Sequence, residues 1–428
     1  MTYETVKSYI LVILIGLSIL LSVALWTYQP NYEQFQNPDY VNEVDIGGEV
    51  KEKKDLINPS SIIFHDQQRL LGFENLKDQI ELHQSINEWI MYDLEESESR
   101  GKPNQEKFVE ILYPNPLPIG VASSLFTFNN DIELPDWEFD RIYLSFNVQK
   151  SSLEIQIISV DKERELSATI DKRENYDMLF DYAVNHTGLI DYISFDTKNG
   201  QIYIPSRDRK LNSKTLVISK IAPEKLVNAL FRNPSRVTPN NAEGYFTDGQ
   251  RGMSVLNNNK IEFINPIQTN SEEISAINAL DQSIIHINEH KGWTNDYILE
   301  RIISTQSKVR FRLMYKGFPV FDQNNLALIE QRWRNIELYE YNRPLIRLTH
   351  EIDSTQTKLP SGQKVINYIQ NKSLFNLDDI SQMQVGYKLS FLSGTSDNVV
   401  LLEPNWYVKN KNQWEFVDLS ELTDKGGE

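Results

Sequence analysis

Arg141-Ile142-Tyr143-Leu144-Ser145-Phe146-Asn147 and, after the link Lys150-Ser151-Ser152, Leu153-Glu154-Ile155-Gln156-Ile157-Ile158-Ser159 decide the fold class. Ile142, Leu144 and Phe146 alternate with Tyr143, Ser145 and Asn147, and Leu153, Ile155 and Ile157 alternate with Glu154, Gln156 and Ile158. Period two across so short a link predicts an antiparallel hairpin. Downstream the period changes: Arg173 to Asn185 reads as a helix ending at His186-Thr187-Gly188, with Gly188 as its left-handed stop. Upstream, Leu76, Ile80, Ile86, Ile90 and Leu94 fit an amphipathic helix over Leu76 to Leu94, followed by a polar break at Glu95 to Gln105. Phe108 to Pro114 predicts a strand that Pro116 and Pro118 confine to an edge or an end. Helices laid on antiparallel strands make the class α+β.

A coarse repeat extends this pattern. The helix closing in Asn185-His186-Thr187-Gly188 leads to a strand at Ile190 to Phe195; a second helix, Glu272 to Lys291, closes in Glu289-His290-Lys291-Gly292 and leads to a strand near Tyr297 to Ile303. Tyr245 to Gln250 introduces a hairpin turning at Asn257-Asn258-Asn259 and returning as Ile261-Glu262-Phe263. Pro319 to Gln323 introduces another, turning near Arg334-Asn335 and returning as Ile336-Glu337-Leu338. Duplication of a helix-plus-sheet module and chance likeness of common strand residues both account for this. A helix at Ser361 to Asn371 and strands at Val385 to Leu392, Val399 to Val408 and Trp414 to Leu419 complete the chain. The expected organisation is three α+β domains, 58–170, 171–269 and 270–428, the last two similar to each other.

The N-terminus has a different character. Tyr9 to Tyr28 is apolar and uncharged, and twenty residues at helical rise span roughly 30 Å. Lys7 lies upstream of it, while Glu33, Asp39, Glu43, Asp45 and Glu49 precede the next lysine, Lys51. The expectation is a cytoplasmic N-terminus at 1–8, a transmembrane anchor at 9–28 and a polar linker at 29–57, with the bulk of the chain outside the cytoplasm at the cell membrane. Ser22-Val23-Ala24 offers the competing reading of a cleaved signal peptide, but the apolar run continues past it through Leu25 and Trp26. Leu11, Ile15, Ser18, Ser22 and Leu25 form one stripe on the anchor, and Ser18 and Ser22 make a small-xxx-small pair suited to a second helix. Serines bonding back to their own helix carbonyls are the alternative explanation of the pair.

Chemistry is sparse. Cysteine is absent, six histidines are present, and the formal net charge of −17 disfavours nucleic acid as a partner. His286-Ile287-Asn288-Glu289-His290 matches the inverted zinc-protease pattern H-x-x-E-H, yet it lacks a third ligand motif and reads better as the last turn of a helix. Replacing both histidines with Gln is therefore expected to leave stability unchanged. Leu359-Pro360-Ser361-Gly362 resembles a wall-sorting signal only superficially, Ser361 reading as an N-cap. No catalytic residue, metal ligand or cofactor site is expected.

The segment Trp26-Thr27-Tyr28-Gln29-Pro30-Asn31-Tyr32, the entry Phe246-Thr247-Asp248-Gly249, the closure from Ile261 to Pro266 and the ending Glu403-Pro404-Asn405-Trp406-Tyr407-Val408 together resemble the YycH (WalH) family over essentially the whole chain. The resemblance implies a non-enzymatic accessory regulator of the essential sensor histidine kinase YycG (WalK), acting with the sister protein YycI (WalI) through its membrane helix and outer domains. An extracellular ligand- or wall-binding protein, or a wall-modifying enzyme, is the alternative.

Overall fold

The hairpin forms as its alternation predicts. Glu138–Asn147 pairs antiparallel with Ser152–Ser159, Ile142 opposite Ile157 and Leu144 opposite Ile155. The computed structural model describes residues 44–129, 133–240, 244–266, 273–392 and 398–423. The expected anchor and its stripe of Leu11, Ile15, Ser18, Ser22 and Leu25 lie outside them. Among the described residues no helix is long and apolar enough to cross a membrane.

The architecture is mixed α+β and dominated by sheet. A ten-stranded sheet runs, in spatial order, through Gly200–Pro205, Leu189–Thr197, Arg69–Phe73, Ser61–Asp66, Lys107–Pro118, Glu138–Asn147, Ser152–Ser159, Arg164–Ile170, Ile90–Glu98 and Thr127–Phe128. On one face, Phe146 meets Tyr176 and Phe180, and Phe64 and Phe73 meet Tyr182, so Arg173–Asn185 packs there as a helix. The other face is polar at its centre. Glu110, fully buried, receives Arg141 Nη1 at 2.8 Å and the Tyr203 hydroxyl at 2.6 Å, with His65 Nε2 at 2.9 Å.

The second sheet has fourteen strands, ordered Thr238–Asn240, Tyr245–Thr247, Gly252–Leu256, Lys260–Ile264, Glu337–Pro344, Leu328–Arg334, Lys308–Tyr315, Phe318–Phe321, Ile380–Phe391, Val399–Asn410, Arg209–Lys220 and Ile346–Leu359. Tyr297–Ile303 joins it beside Lys308–Tyr315, and Gln413–Phe416 beside Val399–Asn410. The two hairpins of the coarse repeat lie in this one sheet, joined through their return strands, with Phe263 opposite Tyr341. Sheet membership changes between Pro205 and Arg209, so the segment from Leu189 to Pro205, placed by the sequence reading in a second domain, supplies strands to the first sheet.

Several local expectations are corrected. The helix over Leu76 to Leu94 ends at Asn87, and Ile90 and Leu94 belong to the strand Ile90–Glu98, their spacing having served either period. The helix at Arg173–Asn185 stops on a left-handed His186, with Gly188 left-handed two residues later. Of the two placements expected for the proline-rich strand, an edge or an end, the second holds: Lys107 to Leu112 pair on both sides, and Pro114, Pro116 and Pro118 lie beyond them at the strand's end. Its ladder to Glu138–Asn147 is broken between Leu112 and Leu117, and the prolines fall in and beside that break, where few amide donors are needed.

Candidate functional site at the entry strap

The polar stretch expected to be a linker is, from Asp45 onward, a docked strap. Asp45-Ile46-Gly47-Gly48-Glu49 runs along the C-terminal end of the helix Ala276–Glu289, which packs on the second sheet, before the chain enters the first sheet at Ser61. Ile46 N–H donates to His290 O (3.2 Å), Gly48 N–H to Lys291 O (3.0 Å) and Glu49 N–H to Trp293 O (3.2 Å). Lys51 and Asn288 exchange two bonds, the Lys51 N–H to Oδ1 at 3.0 Å and Nδ2 to the Lys51 carbonyl at 2.9 Å. Ion pairs Lys291–Asp45, Lys51–Asp296 and Lys53–Asp281 flank the strap. Gly47 N–H and the Lys291 ammonium hold the Asp45 carboxyl below its usual range.

Glycine is required here for two separate reasons. Gly47 sits at φ +93, a left-handed conformation. A Cβ on Gly48 would meet the Lys291 carbonyl oxygen at 2.5 Å and the Trp293 carbonyl carbon at 2.6 Å, both backbone atoms. The strap lies against the helix end because nothing projects from it at that point.

Beneath the strap lies the H-x-x-E-H turn. His286 Nδ1 contacts Gln331 Nε2 at 2.8 Å, and His290 Nε2 contacts the Tyr341 hydroxyl at 3.1 Å. Arg343, fully buried, donates from Nη1 to that hydroxyl and from Nη2 to Thr294 Oγ1, both at 3.1 Å. Burial, with the Arg343 charge adding to it, pushes His286 down to about 4 and His290 well below its ordinary value. Neutral His290 accepts from Tyr341, whose oxygen accepts from Arg343, so one chain of bonds runs from the buried guanidinium to the residue whose carbonyl holds the strap. Glu289 is exposed, on another side of the helix from this chain. Among the described residues no group of three or more His, Asp or Glu is placed to hold a metal.

A second set of polar contacts joins the two sheets, which together belong to the compact unit Asp45–Glu428. At the broken ladder, the Pro114 carbonyl accepts from Gln382 Nε2 and from Lys409 Nζ (3.2 Å), and Lys409 also reaches Asn115 Oδ1 at 2.6 Å. Asn115 Nδ2 donates to the Glu300 carbonyl. Burial pushes the Lys409 ammonium down to about 8. The arrangement can transmit position, since a shift of the strap bears directly on the helix end and second sheet, and a shift of the first sheet bears on Lys409. It displays no nucleophile–base pair.

Sequence reasoning located the helix end but not the strap, because main-chain bonds leave no side-chain signature; Gly47-Gly48 was the one available signal. Ser361 stands where expected, at the N-cap of Gly362–Lys372, though without a side-chain cap bond.

The family profile described as "YycH protein, N-terminal domain" matches residues 4–185, and "YycH protein, C-terminal domain" matches residues 199–426. A relative from Bacillus subtilis (strain 168) named "Two-component system WalR/WalK regulatory protein YycH" is 21% identical over 436 residues, spanning 96% of this chain and 95% of the relative. The crystal structure of YycH from Bacillus subtilis superposes with a TM-score of 0.75 at 18% identity, covering 88% of this chain and 100% of that one. With both of its halves matched in order by the two profiles, and the fold shared with a solved member, this chain belongs to the YycH family.

Proposed function

We propose that this chain is a non-enzymatic, membrane-anchored regulator of a WalR/WalK-type two-component system controlling cell-wall metabolism. The observation that supports the reading is the end-to-end similarity to a relative whose name gives it as a regulatory protein of the WalR/WalK two-component system. In this reading Tyr9 to Tyr28 spans the membrane with Lys7 inside, the bulk lies outside the cytoplasm, and a kinase and a YycI-like protein are the partners. The stripe of Leu11, Ile15, Ser18, Ser22 and Leu25 faces a partner helix, where packing and interhelical hydrogen bonds supply the affinity. The strap is then where the chain following the anchor joins the outer body, bonded to the end of Ala276–Glu289. Affinity purification of the full chain from its native membranes tests this, with a sensor histidine kinase as the expected stable companion. Absence of any histidine kinase across mild detergents rejects the reading. An unrelated anchor of equal length fused ahead of residue 29 separates its parts, since wild-type regulation from that fusion removes the stripe from the mechanism.

A further inference from the structure

A groove of about 930 Å3 opens on the second sheet between the loop from Asp322 to Leu326, the end of Ile380–Phe391 and the strand Gln413–Phe416. One wall is aromatic. Phe321 and Tyr407 stack with ring centroids 4.0 Å apart, Trp414 lies 5.4 Å from Phe321, and Phe416, 40% exposed, lies 6.1 Å from Tyr407. Among the described residues the strand carrying Trp414 and Phe416 pairs only with Val399–Asn410 and is otherwise an edge. Edges are ordinarily blunted with charge or proline, so partly exposed aromatic rings there call for a ligand.

The polar rim selects the ligand's chemistry. Asp322 is consumed by its own loop, its carboxylate accepting from the N–H groups of Asn324, Leu326 and Ala327. Arg310 is paired with Glu330, Arg312 with Glu300, and Glu415 with Asn410 Nδ2. Lys388 stands over the Phe416 ring at 5.2 Å. The exposed side chains of Gln323, Asn324, Asn325 and Gln413 project around the groove with no hydrogen bond inside the described structure. With both arginines paired to carboxylates, Asp322 and Glu415 held by amide donors and Lys388 set against a ring, the described lining offers no cluster of cations for a phosphate or a carboxylate, and it leaves open amides on the rim and an aromatic wall. Amides both donate and accept, matching hydroxyl pairs, while aromatic rings take the C–H face of a pyranose.

We infer that this groove binds a neutral saccharide chain, with Phe416 and Trp414 as the stacking platform and Gln323, Asn324, Asn325 and Gln413 as the hydroxyl-reading rim. The site is separate from the strap and stands or falls independently of the regulatory reading.

The test is calorimetric titration of the full chain in lipid nanodiscs, free of sugar-headgroup detergent, with tetrasaccharides of N-acetylglucosamine and of glucose. Comparing the two probes shows whether an acetamido group is needed. Binding by either, weakened about ten-fold in both Phe416→Ala and Asn324→Ala, is the expected result. Both side chains project from the surface, and unchanged thermal unfolding of the two variants establishes that folding is intact. No heat from either probe up to about 10 mM, or affinity unaltered by both substitutions, overturns the proposal. So does displacement of bound saccharide by an unrelated extended peptide, which marks the groove as a peptide cleft.

Discussion

His290 shows how a residue's surroundings change its meaning. As the end of a predicted helix it reads as a dispensable cation near the negative end of the dipole. Folded, it is 2% exposed and neutral, and it accepts from Tyr341. The expectation that exchanging both histidines leaves stability untouched is therefore revised. His290→Gln should destabilise the chain by roughly 1–3 kcal/mol, the range for a buried polar partner left unmatched. Chemical denaturation checks this, and unaltered stability would separate His290 from the Tyr341–Arg343 chain. Lys409 gives a second measurable consequence. Its folded value lies near 8 against an ordinary 10.5, so between those pH values the unfolded state holds more protons and stability rises with pH. Relative to Lys409→Met, the wild-type chain should gain stability between pH 8 and 10, with a slope of at most about 1.4 kcal/mol per pH unit. Parallel curves would show that the ammonium is already well solvated.

The strap illustrates what a segment gains from its neighbours. Alone, Asp45-Ile46-Gly47-Gly48-Glu49 has no periodicity and two glycines, and it has no reason to order itself. Laid against His290, Lys291 and Trp293, it satisfies carbonyls at the end of a helix that would otherwise need water or a cap. Gly48→Val is predicted to lift the strap, because both atoms facing the added carbon are backbone. Limited proteolysis of the full chain should then cleave between residues 45 and 53 much faster, with the sheets remaining protected. Equal cleavage rates would mean the strap adjusts without leaving. The loop after Phe321 works in the same manner, Asp322 collecting three amide donors so that Gln323, Asn324 and Asn325 stand free.

Taken together, the buried imidazoles make the folded chain acid-sensitive. His83, fully buried beside the Tyr113 hydroxyl, is pushed down to about 3 by burial, His286 to about 4, and His65 and His290 are also lowered. Each is neutral when folded and titrates near 6.5 when unfolded. Their stabilising contribution is complete above pH 6.5 and is lost as pH falls below it, each adding a slope of up to about 1.4 kcal/mol per pH unit. The thermal midpoint should begin to drop near pH 6, before the carboxylates titrate. His83→Phe, which keeps an aromatic ring in that site, should make the decline shallower. A midpoint flat down to pH 5 would refute the collective effect.

Alternation at Ile142 to Phe146 and Leu153 to Ile157 determined the central hairpin, because a strand with a buried face must place apolar residues at period two. The same logic made the helices at Arg173–Asn185 and Gly362–Lys372 legible, and family resemblance was carried by the order of small motifs along the whole chain. Tertiary structure alone decided what depends on main-chain bonds and distant partners. It assigned Ile90 and Leu94 to a strand, where spacing served either period, and it placed a proline-broken strand at the centre of a sheet, where the break bonds to Gln382 and Lys409. It turned a linker into a strap and gathered Phe321, Tyr407, Trp414 and Phe416 into one wall. Side-chain pattern records which residues leave water; it does not record which distant backbone or ring they will meet.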